Sequence, residues 1–154
     1  MNDNLEYIVN KDEDQYFLGS INEESRMRQG HGVIAHRNGQ LYEGSWSNNM
    51  HNGRGRLINA NGDYYEGEFS NDKAYGEGTF HFNDGTKMQG HFDENRLQGH
   101  GIETHEDGSR FEGEFVNGSK NKGVMTWPNG ERFDGEFLQN SMQGYGGYEW
   151  PDGS

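Results

Sequence analysis

The chain contains no cysteine and only two prolines in 154 residues. Without cysteine it can build neither a disulfide framework nor a thiolate metal site, and this composition fits a reducing compartment. No apolar run approaches the roughly 18 residues that a membrane-spanning helix needs. The first residues also lack the basic and apolar segments of a signal peptide. We therefore expect a cytoplasmic location.

Hydrophobic and basic residues are scarce as well. Only 29% of the residues are hydrophobic, and 13 Lys and Arg stand against 26 Asp and Glu, which gives a formal net charge of -13. Binding of nucleic acid requires a basic surface, so this charge excludes it. An anionic membrane would repel the chain unless its cations were clustered, and they are spread along the sequence. Composition alone is close to that of disordered chains, so a fold must depend on where the residues are placed.

Glycine, in contrast, is abundant and evenly spaced. The chain has 25 glycines, and six of them recur at intervals of 22 or 23 residues: Gly39, Gly62, Gly85, Gly108, Gly130 and Gly153. Each follows Asn or Asp, and Asn-Gly and Asp-Gly are typical of tight hairpin turns. A fixed period of this length predicts an array of repeats, in which each unit is buried by its neighbours.

A block of aromatic, acidic, glycine, variable and aromatic residues recurs in the same register. Its copies occupy residues 42–46, 65–69, 88–92, 111–115 and 133–137. A Gly-x-Gly pair follows four of them, whereas the unit that begins at residue 111 is one residue short and keeps only Gly123. Residues 16–41 read as an earlier, degenerate copy. The pattern resembles the MORN repeat (membrane occupation and recognition nexus), which reads roughly Tyr-Glu-Gly-x-Phe/Trp and then Gly-x-Gly; Met88-Gln89 departs from it.

The alternation of side chains along a strand explains this spacing. In residues 65–69, Tyr65, Gly67 and Phe69 share one face of a strand, and the two glutamates share the other. A glycine leaves a gap in the surface of a sheet, and a ring from a neighbouring strand can cover that gap. We therefore predict an all-β fold, an elongated single-layer antiparallel β-meander of MORN-repeat hairpins that is twisted. The resemblance also implies curvature and a concave groove.

The predicted domain organisation is simple. Residues 16–154 form one MORN-repeat array of about six units, the first of them degenerate. Residues 1–15 form an N-terminal tail or a capping strand, which would lie over residues 5–9. A continuation of the array beyond residue 154 stays open.

Residues with catalytic or metal-binding potential lack the spacing that such chemistry needs. No phosphate-binding loop, His-Glu-x-x-His motif, nucleophile elbow or calcium loop is present. His31 and His100 occupy the same slot of units that lie three repeats apart, so they cannot converge on one ion. His81 and His105 read as surface residues of successive units. We expect no enzyme activity, no cofactor and no metal.

The aromatic face is the predicted site of function. A single-layer sheet cannot hide this whole face, and exposed aromatic area marks recognition surfaces. A helix or an extended peptide of a protein partner would lie in the groove, with Glu103 and His105 as polar contacts where the apolar run is interrupted. For any single ring, the simpler interpretation is that it covers a glycine and holds the sheet together. The predicted partner-binding residues are Trp46, Phe69, Phe80, Phe82, Phe92, Glu103, His105, Phe115, Trp127, Phe137 and Trp150.

The resemblance implies a non-catalytic scaffold or adaptor in a ciliary assembly, such as a radial spoke, or in a cytoskeletal one. It also implies self-association into homo-oligomers through the ends of the array. Two alternatives stay open: a phospholipid-associated module at a membrane surface, and a domain appended to a larger enzyme, since similar arrays precede lipid-kinase and lysine-methyltransferase domains.

Overall fold

The computed structural model describes residues 5–151, without the side chains of residues 141 and 143–145. These residues form one open sheet of 13 strands, in which every strand pairs with its sequence neighbours in antiparallel fashion. No helix occurs among them, so the predicted all-β meander is confirmed. The Asp152-Gly153 turn lies outside the described residues. The strands are β1 (Leu5–Lys11), β2 (Gln15–Asn22), β3 (Arg28–His36), β4 (Leu41–Ser47), β5 (Met50–Ile58), β6 (Tyr64–Ser70), β7 (Lys73–His81), β8 (Lys87–Asp93), β9 (Arg96–Thr104), β10 (Arg110–Val116), β11 (Ser119–Thr126), β12 (Arg132–Leu138) and β13 (Ser141–Glu149).

A continuous row of glycines crosses the sheet from β2 to β13. One glycine of each strand stands opposite a glycine of the next, as Gly44 does opposite Gly32 and Gly55. Tyr42 covers this row, because a Cβ on Gly55 would lie 2.5 Å from the Tyr42 hydroxyl oxygen. The expected covering of glycines by rings is thus present, and the close approach explains why no larger residue fits at residue 55.

We call the face that carries these glycines and rings the ring face, and the opposite face the groove face. On the ring face, aromatic side chains from β2 to β8 meet edge to face, with ring centroids 5.0–5.5 Å apart. Phe111, Phe115, Phe133 and Phe137 continue the layer in β10 and β12 with the same geometry. Edge-to-face pairs are the favoured arrangement of aromatic quadrupoles, so the rings form a thin core on one side of the sheet.

Two different turns alternate along the chain. The Asn-Gly and Asp-Gly dipeptides form the first kind, in which glycines such as Gly39 and Gly62 have positive φ. The second kind joins β4 to β5, β6 to β7 and so on through two residues, and in most of these turns both are non-glycine residues with positive φ, as at Asn48 and Asn49. Asn and Asp tolerate this left-handed conformation better than other non-glycine residues.

In most repeats, a side chain in the second kind of turn also accepts a hydrogen bond from the backbone of the preceding hairpin. The Asn49 side chain accepts a hydrogen bond of 2.7 Å from the Arg28 amide, and the Asp72 side chain accepts one of 2.7 Å from the His51 amide. Asn95 and Asn140 make the equivalent contacts to Ala74 and Lys120. At the fourth of these turns Gly118 stands in this position and has no side chain to accept the bond.

The first strand lies at one edge of the sheet. β1 pairs with β2 over its whole length, from Leu5 opposite Asn22 to Lys11 opposite Tyr16. Residues 1–4 and 152–154 fall outside the described residues, and the division of the chain into residues 1–15 and 16–154 stays a prediction.

Candidate partner-binding surface

Five of the predicted partner-binding residues are buried rings. Trp46, Phe69, Phe92, Phe115 and Phe137 are at most 5% exposed and belong to the ring layer. The Trp46 indole also donates a hydrogen bond of 3.0 Å to a backbone carbonyl of β3, at Gly32. As folded, these side chains hold neighbouring strands together and present little surface to a partner.

Four other predicted side chains lie at one end of the strands, where Phe82 and Trp150 are exposed and Phe80 and Trp127 are partly buried. Phe80 contacts Phe82, with ring centroids 4.7 Å apart, and Phe82 is 36% exposed. Trp127 meets Tyr148 at 5.8 Å, and Tyr148 meets the 53% exposed Trp150 at 4.8 Å. The structure therefore brings Trp127 and Trp150 together through Tyr148, a ring absent from the predicted set.

Phe82, His105 and Trp127 occupy equivalent positions in successive repeats. Each donates its backbone amide to a residue four positions later, at 2.8–3.0 Å, at the start of the Asn-Gly or Asp-Gly turn. Because two inter-strand spacings separate one such position from the next, neighbours along this row are roughly 9.6 Å apart. We call these three residues, with Trp150, the rim row.

Glu103 is the polar residue that interrupts the apolar row of the ring face. It lies opposite Met88 and Phe111, and it is nearly buried. Its carboxylate contacts the Lys120 ammonium at 2.8 Å and the His105 ring at 2.7 Å. Glu103 is therefore committed to partners within the chain, while His105 remains one-third exposed at its side chain.

Lys120 was not singled out from the sequence. It occupies the position of Leu97 one repeat later, and its ammonium lies 5.6 Å from the centre of the Phe111 ring. The sequence did carry a signal, because a lysine stands 23 residues after Leu97, where the repeat predicts an apolar residue, in the unit that follows the one with Glu103. A charge at each of two neighbouring buried positions indicates a pair.

His51 is a second buried group that sequence reasoning did not identify. It occupies the same repeat position as Ala74 and Leu97, and its ring stacks on Tyr42 at 3.6 Å with a 4° angle between planes. Its Nδ1 atom is buried without a hydrogen-bond partner. Burial lowers the pKa of His51 to about 4, against a smaller opposing effect of the Asp72 carboxylate.

The groove face has a different chemistry. An open groove of about 880 Å³ crosses β3 to β8. Within it Arg56 and Glu66 form an ion pair across β5 and β6. Polar side chains line this groove instead of the rings that the sequence assigned to it, because the rings fill the ring face by covering the glycine row. The lining includes His31, Glu43, Ser45, Arg54, Arg56, Glu66, Glu77, Thr79 and Gln89.

Within residues 5–151, no three His, Cys, Asp or Glu side chains lie close enough together to hold a metal ion. That stretch also contains no helix of the length and apolarity needed to cross a bilayer. The partner-binding role of the rings stays a prediction.

Comparison with known proteins identifies the repeat. None of the curated proteins matches the chain. One similar solved structure is the SAS-4 (dCPAP) TCP domain in complex with a proline-rich motif of Ana2 (dSTIL) of Drosophila melanogaster. It is 14% identical, covers 100% of this chain and 89% of that chain, and has a TM-score of 0.42. The family model of the MORN repeat matches residues 42–64, 65–87, 89–110, 111–132 and 133–154. The chain therefore belongs to the MORN-repeat family, whose members are generally non-catalytic modules that bind proteins or membranes.

Proposed function

We propose that the chain is a non-catalytic scaffold that binds protein partners through the rim row and the rings beside it. Its setting would be a cytoplasmic assembly of the cytoskeleton or of a cilium, such as a radial spoke. The observation that supports this proposal is the exposed aromatic surface of Phe82, Tyr148 and Trp150, which contact the partly buried Phe80 and Trp127. Exposed Trp and Tyr side chains are the commonest energetic centres of protein interfaces.

The spacing of the rim row favours a partner segment that crosses the strands. Neighbouring rim positions are roughly 9.6 Å apart, which corresponds to between six and seven residues of an α-helix at about 1.5 Å per residue. A helix with apolar side chains about seven residues apart would therefore meet Phe82, Trp127 and Trp150 along one side. An extended peptide in the polyproline II conformation, with three residues per turn, would meet the same positions at every third residue, at roughly 3.1 Å per residue. His105 would face the polar residue between the apolar contacts.

Binding to anionic membranes is less favoured by charge. The formal net charge is -13, and several cations near the surface are already engaged, as Arg56 is with Glu66 and Arg110 with Glu112. An anionic leaflet attracts clusters of unpaired Lys and Arg, and it repels an acidic surface. Flotation with phosphoinositide vesicles tests this alternative, and co-flotation at physiological salt would contradict the protein-binding proposal.

The proposal is tested by capturing partners with matched variants. Trp150→Ala and Phe82→Ala should each lose proteins that the unmodified chain retains, while their circular dichroism and melting stay unchanged. Leu138→Ala is the control, because Leu138 is even more exposed, at 62%, but lies on the groove face. Trp127 is partly buried against the ring layer, so its replacement can unfold the chain. The more exposed Trp150 keeps the test decisive, since retention of every partner by folded Trp150→Ala and Phe82→Ala would refute the proposed site.

A further inference from the structure

An apolar patch covers the N-terminal end of the groove face. Leu5, Tyr7 and Val9 of β1 point to this side, and Tyr7 and Val9 are 68% and 60% exposed. Val9 stands opposite Leu18, which stands opposite Val33 of β3. The rest of the groove face from β4 onward carries mainly charged and polar residues. We call Leu5, Tyr7, Val9, Tyr16, Leu18 and Val33 the N-terminal patch; none of them belongs to the rim row.

The backbone of β1 is open on the side away from β2. Among residues 5–151, β2 is its one neighbour in the sheet. The Asp12 amide donates a hydrogen bond of 3.0 Å to the Gln15 carbonyl, so these two residues form a hydrogen-bonded pair. Along an antiparallel ladder, hydrogen-bonded pairs alternate with pairs that are not hydrogen-bonded. The residues of β1 that bond to β2 are therefore Asn10, Ile8 and Glu6. The amide and carbonyl groups of Tyr7 and Val9 point outward, so the residues with the exposed side chains also offer free hydrogen-bonding groups.

Acidic turns flank the N-terminal patch at both ends of β1 and β2. Asp12, Glu13 and Asp14 form the turn at one end. Glu23 and Glu24 lie in the turn at the other end, where the one cation, Arg26, is already paired with Glu6. A hollow of about 190 Å³ lies beside the first turn, and it is lined by the three acidic residues of that turn, by Tyr16 and, on its far side, by His36 and Arg37. Hydrogen bonds from the amides of residues 14 and 15 lower the pKa of Asp12, which keeps this carboxylate ionised.

We infer that β1 is a docking edge, which takes up an extended segment of a partner protein as an additional strand. Alternate apolar side chains of that segment would pack on Tyr7 and Val9, and Lys or Arg residues at its ends would reach the acidic turns. An open sheet edge supplies affinity through main-chain hydrogen bonds, and the flanking side chains supply specificity. This edge can act independently of the rings that carry the proposed scaffold function, because it uses the opposite face and the first strand.

Charge distinguishes this occupant from a second copy of the chain. Each copy carries a formal net charge of -13, and pairing two β1 edges would bring acidic turns of both copies to one interface. Like charges across an interface oppose association, whereas a cationic partner is attracted to it. The outward-facing apolar strand therefore favours a basic partner segment over self-pairing.

The test uses a synthetic extended peptide with the sequence Lys-Lys-Thr-Val-Thr-Val-Thr-Val-Lys-Lys, carrying a fluorophore. Saturable binding is expected by fluorescence anisotropy, with protection of the β1 amides from hydrogen exchange. A peptide in which glutamates replace the lysines should bind at least tenfold more weakly. Binding should also weaken steeply with salt, because it depends on exposed charges.

Two variants of β1 separate the backbone from the side-chain contribution. Val9→Pro removes an outward amide without removing a bond to β2, and proline is tolerated on the outer side of an edge strand. Tyr7→Thr removes the exposed ring and keeps a residue that favours strands. Each should weaken binding at least tenfold and leave thermal melting unchanged, whereas Leu138→Thr, an exposed apolar residue on the same face, should have no effect.

Several outcomes would overturn the inference. Absence of saturable binding up to about 1 mM peptide would do so, as would equal affinity for the acidic peptide. Unchanged affinity in folded Val9→Pro and Tyr7→Thr would place the binding elsewhere. A dimer seen by light scattering, which Val9→Pro converts to monomer, would assign the edge to a second copy of the chain.

Discussion

Replacement of His51 by leucine should remove a defined part of the pH dependence of folding. The imidazole lies between aromatic rings, stacked on Tyr42 and edge-on to Trp46 at 4.7 Å, and its side chain is only 14% exposed. Its pKa is lowered to about 4 by burial, from an ordinary value of 6.5. The folded chain therefore holds the neutral form, and the unfolded chain takes up the proton first. The stabilisation is complete above about pH 6.5 and is lost as the pH falls towards 4.

The size of this effect follows from the two pKa values. Between about pH 7.5 and pH 5, linkage gives a loss of about 2 kcal/mol in the free energy of unfolding from this one group. Leucine fits the site, because Leu97 occupies the equivalent position two repeats later and is only 2% exposed. His51→Leu should therefore fold normally and lose about 2 kcal/mol less than the unmodified chain over this pH interval.

Urea unfolding at both pH values measures the difference, and the other titrating groups cancel in the comparison. His100→Gln is the matched control, since the His100 side chain is 70% exposed and pairs with Glu112 only at the surface. This control should keep the full pH dependence. If His51→Leu and the unmodified chain showed the same loss between the two pH values, the account of a neutral, desolvated imidazole would be wrong.

Three further predictions concern the stability of the sheet, each measured by urea unfolding. Gly55→Ala should destabilise the fold by about 2 kcal/mol or more, because the added Cβ would overlap the Tyr42 ring that covers this glycine. Gly147→Ala is the control: nothing lies within 4 Å of that position, so stability should change by less than about 0.5 kcal/mol. Glu103→Leu alone should lower the free energy of unfolding by about 3 kcal/mol, because it leaves the Lys120 ammonium buried without its carboxylate. Changing both residues to leucine should recover most of that loss, and equal losses in the single and double variants would contradict the pairing. Gly118→Asn should add the missing side-chain hydrogen bond between hairpins and stabilise the fold by about 0.5–1 kcal/mol, because asparagine tolerates the positive φ at this position. A net loss of stability would show that the geometry of this turn differs from that of the other repeats.

A sheet of one layer has no second layer to bury its apolar side. In this chain the rings lie over glycines of the adjacent strand, so apolar contact forms within the sheet itself. Tyr42 and Tyr65 also donate their hydroxyl groups to backbone carbonyls of Ser45 and Glu68, at 2.6 and 2.8 Å. Tyrosine is therefore tolerated in a buried position, because its polar end is satisfied next to its apolar ring.

The sequence was sufficient to predict the architecture because its information is local. Hairpins pair strands that follow one another, so the Asn-Gly and Asp-Gly turns set which strands are neighbours. The two-residue alternation then sets which side chains share a face, and it placed Gly44 and Gly55 in one row and Tyr42 beside them. One period repeated along the chain is enough to extend this pattern over the sheet.

The lateral contacts and the distribution of exposure were decided only in the tertiary structure. Trp46 and Trp150 carry the same side chain, yet one is buried among rings of neighbouring repeats and the other lies at the outer edge. The contact between Glu103 and Lys120 depends on side-chain conformations in two different strands, β9 and β11. The hydrogen bonds accepted by the side chains of Asn49 and its counterparts depend on how closely adjacent hairpins approach each other. Alternation along a strand assigns a face to each side chain, but the depth of burial on that face depends on packing across strands, which no local pattern specifies.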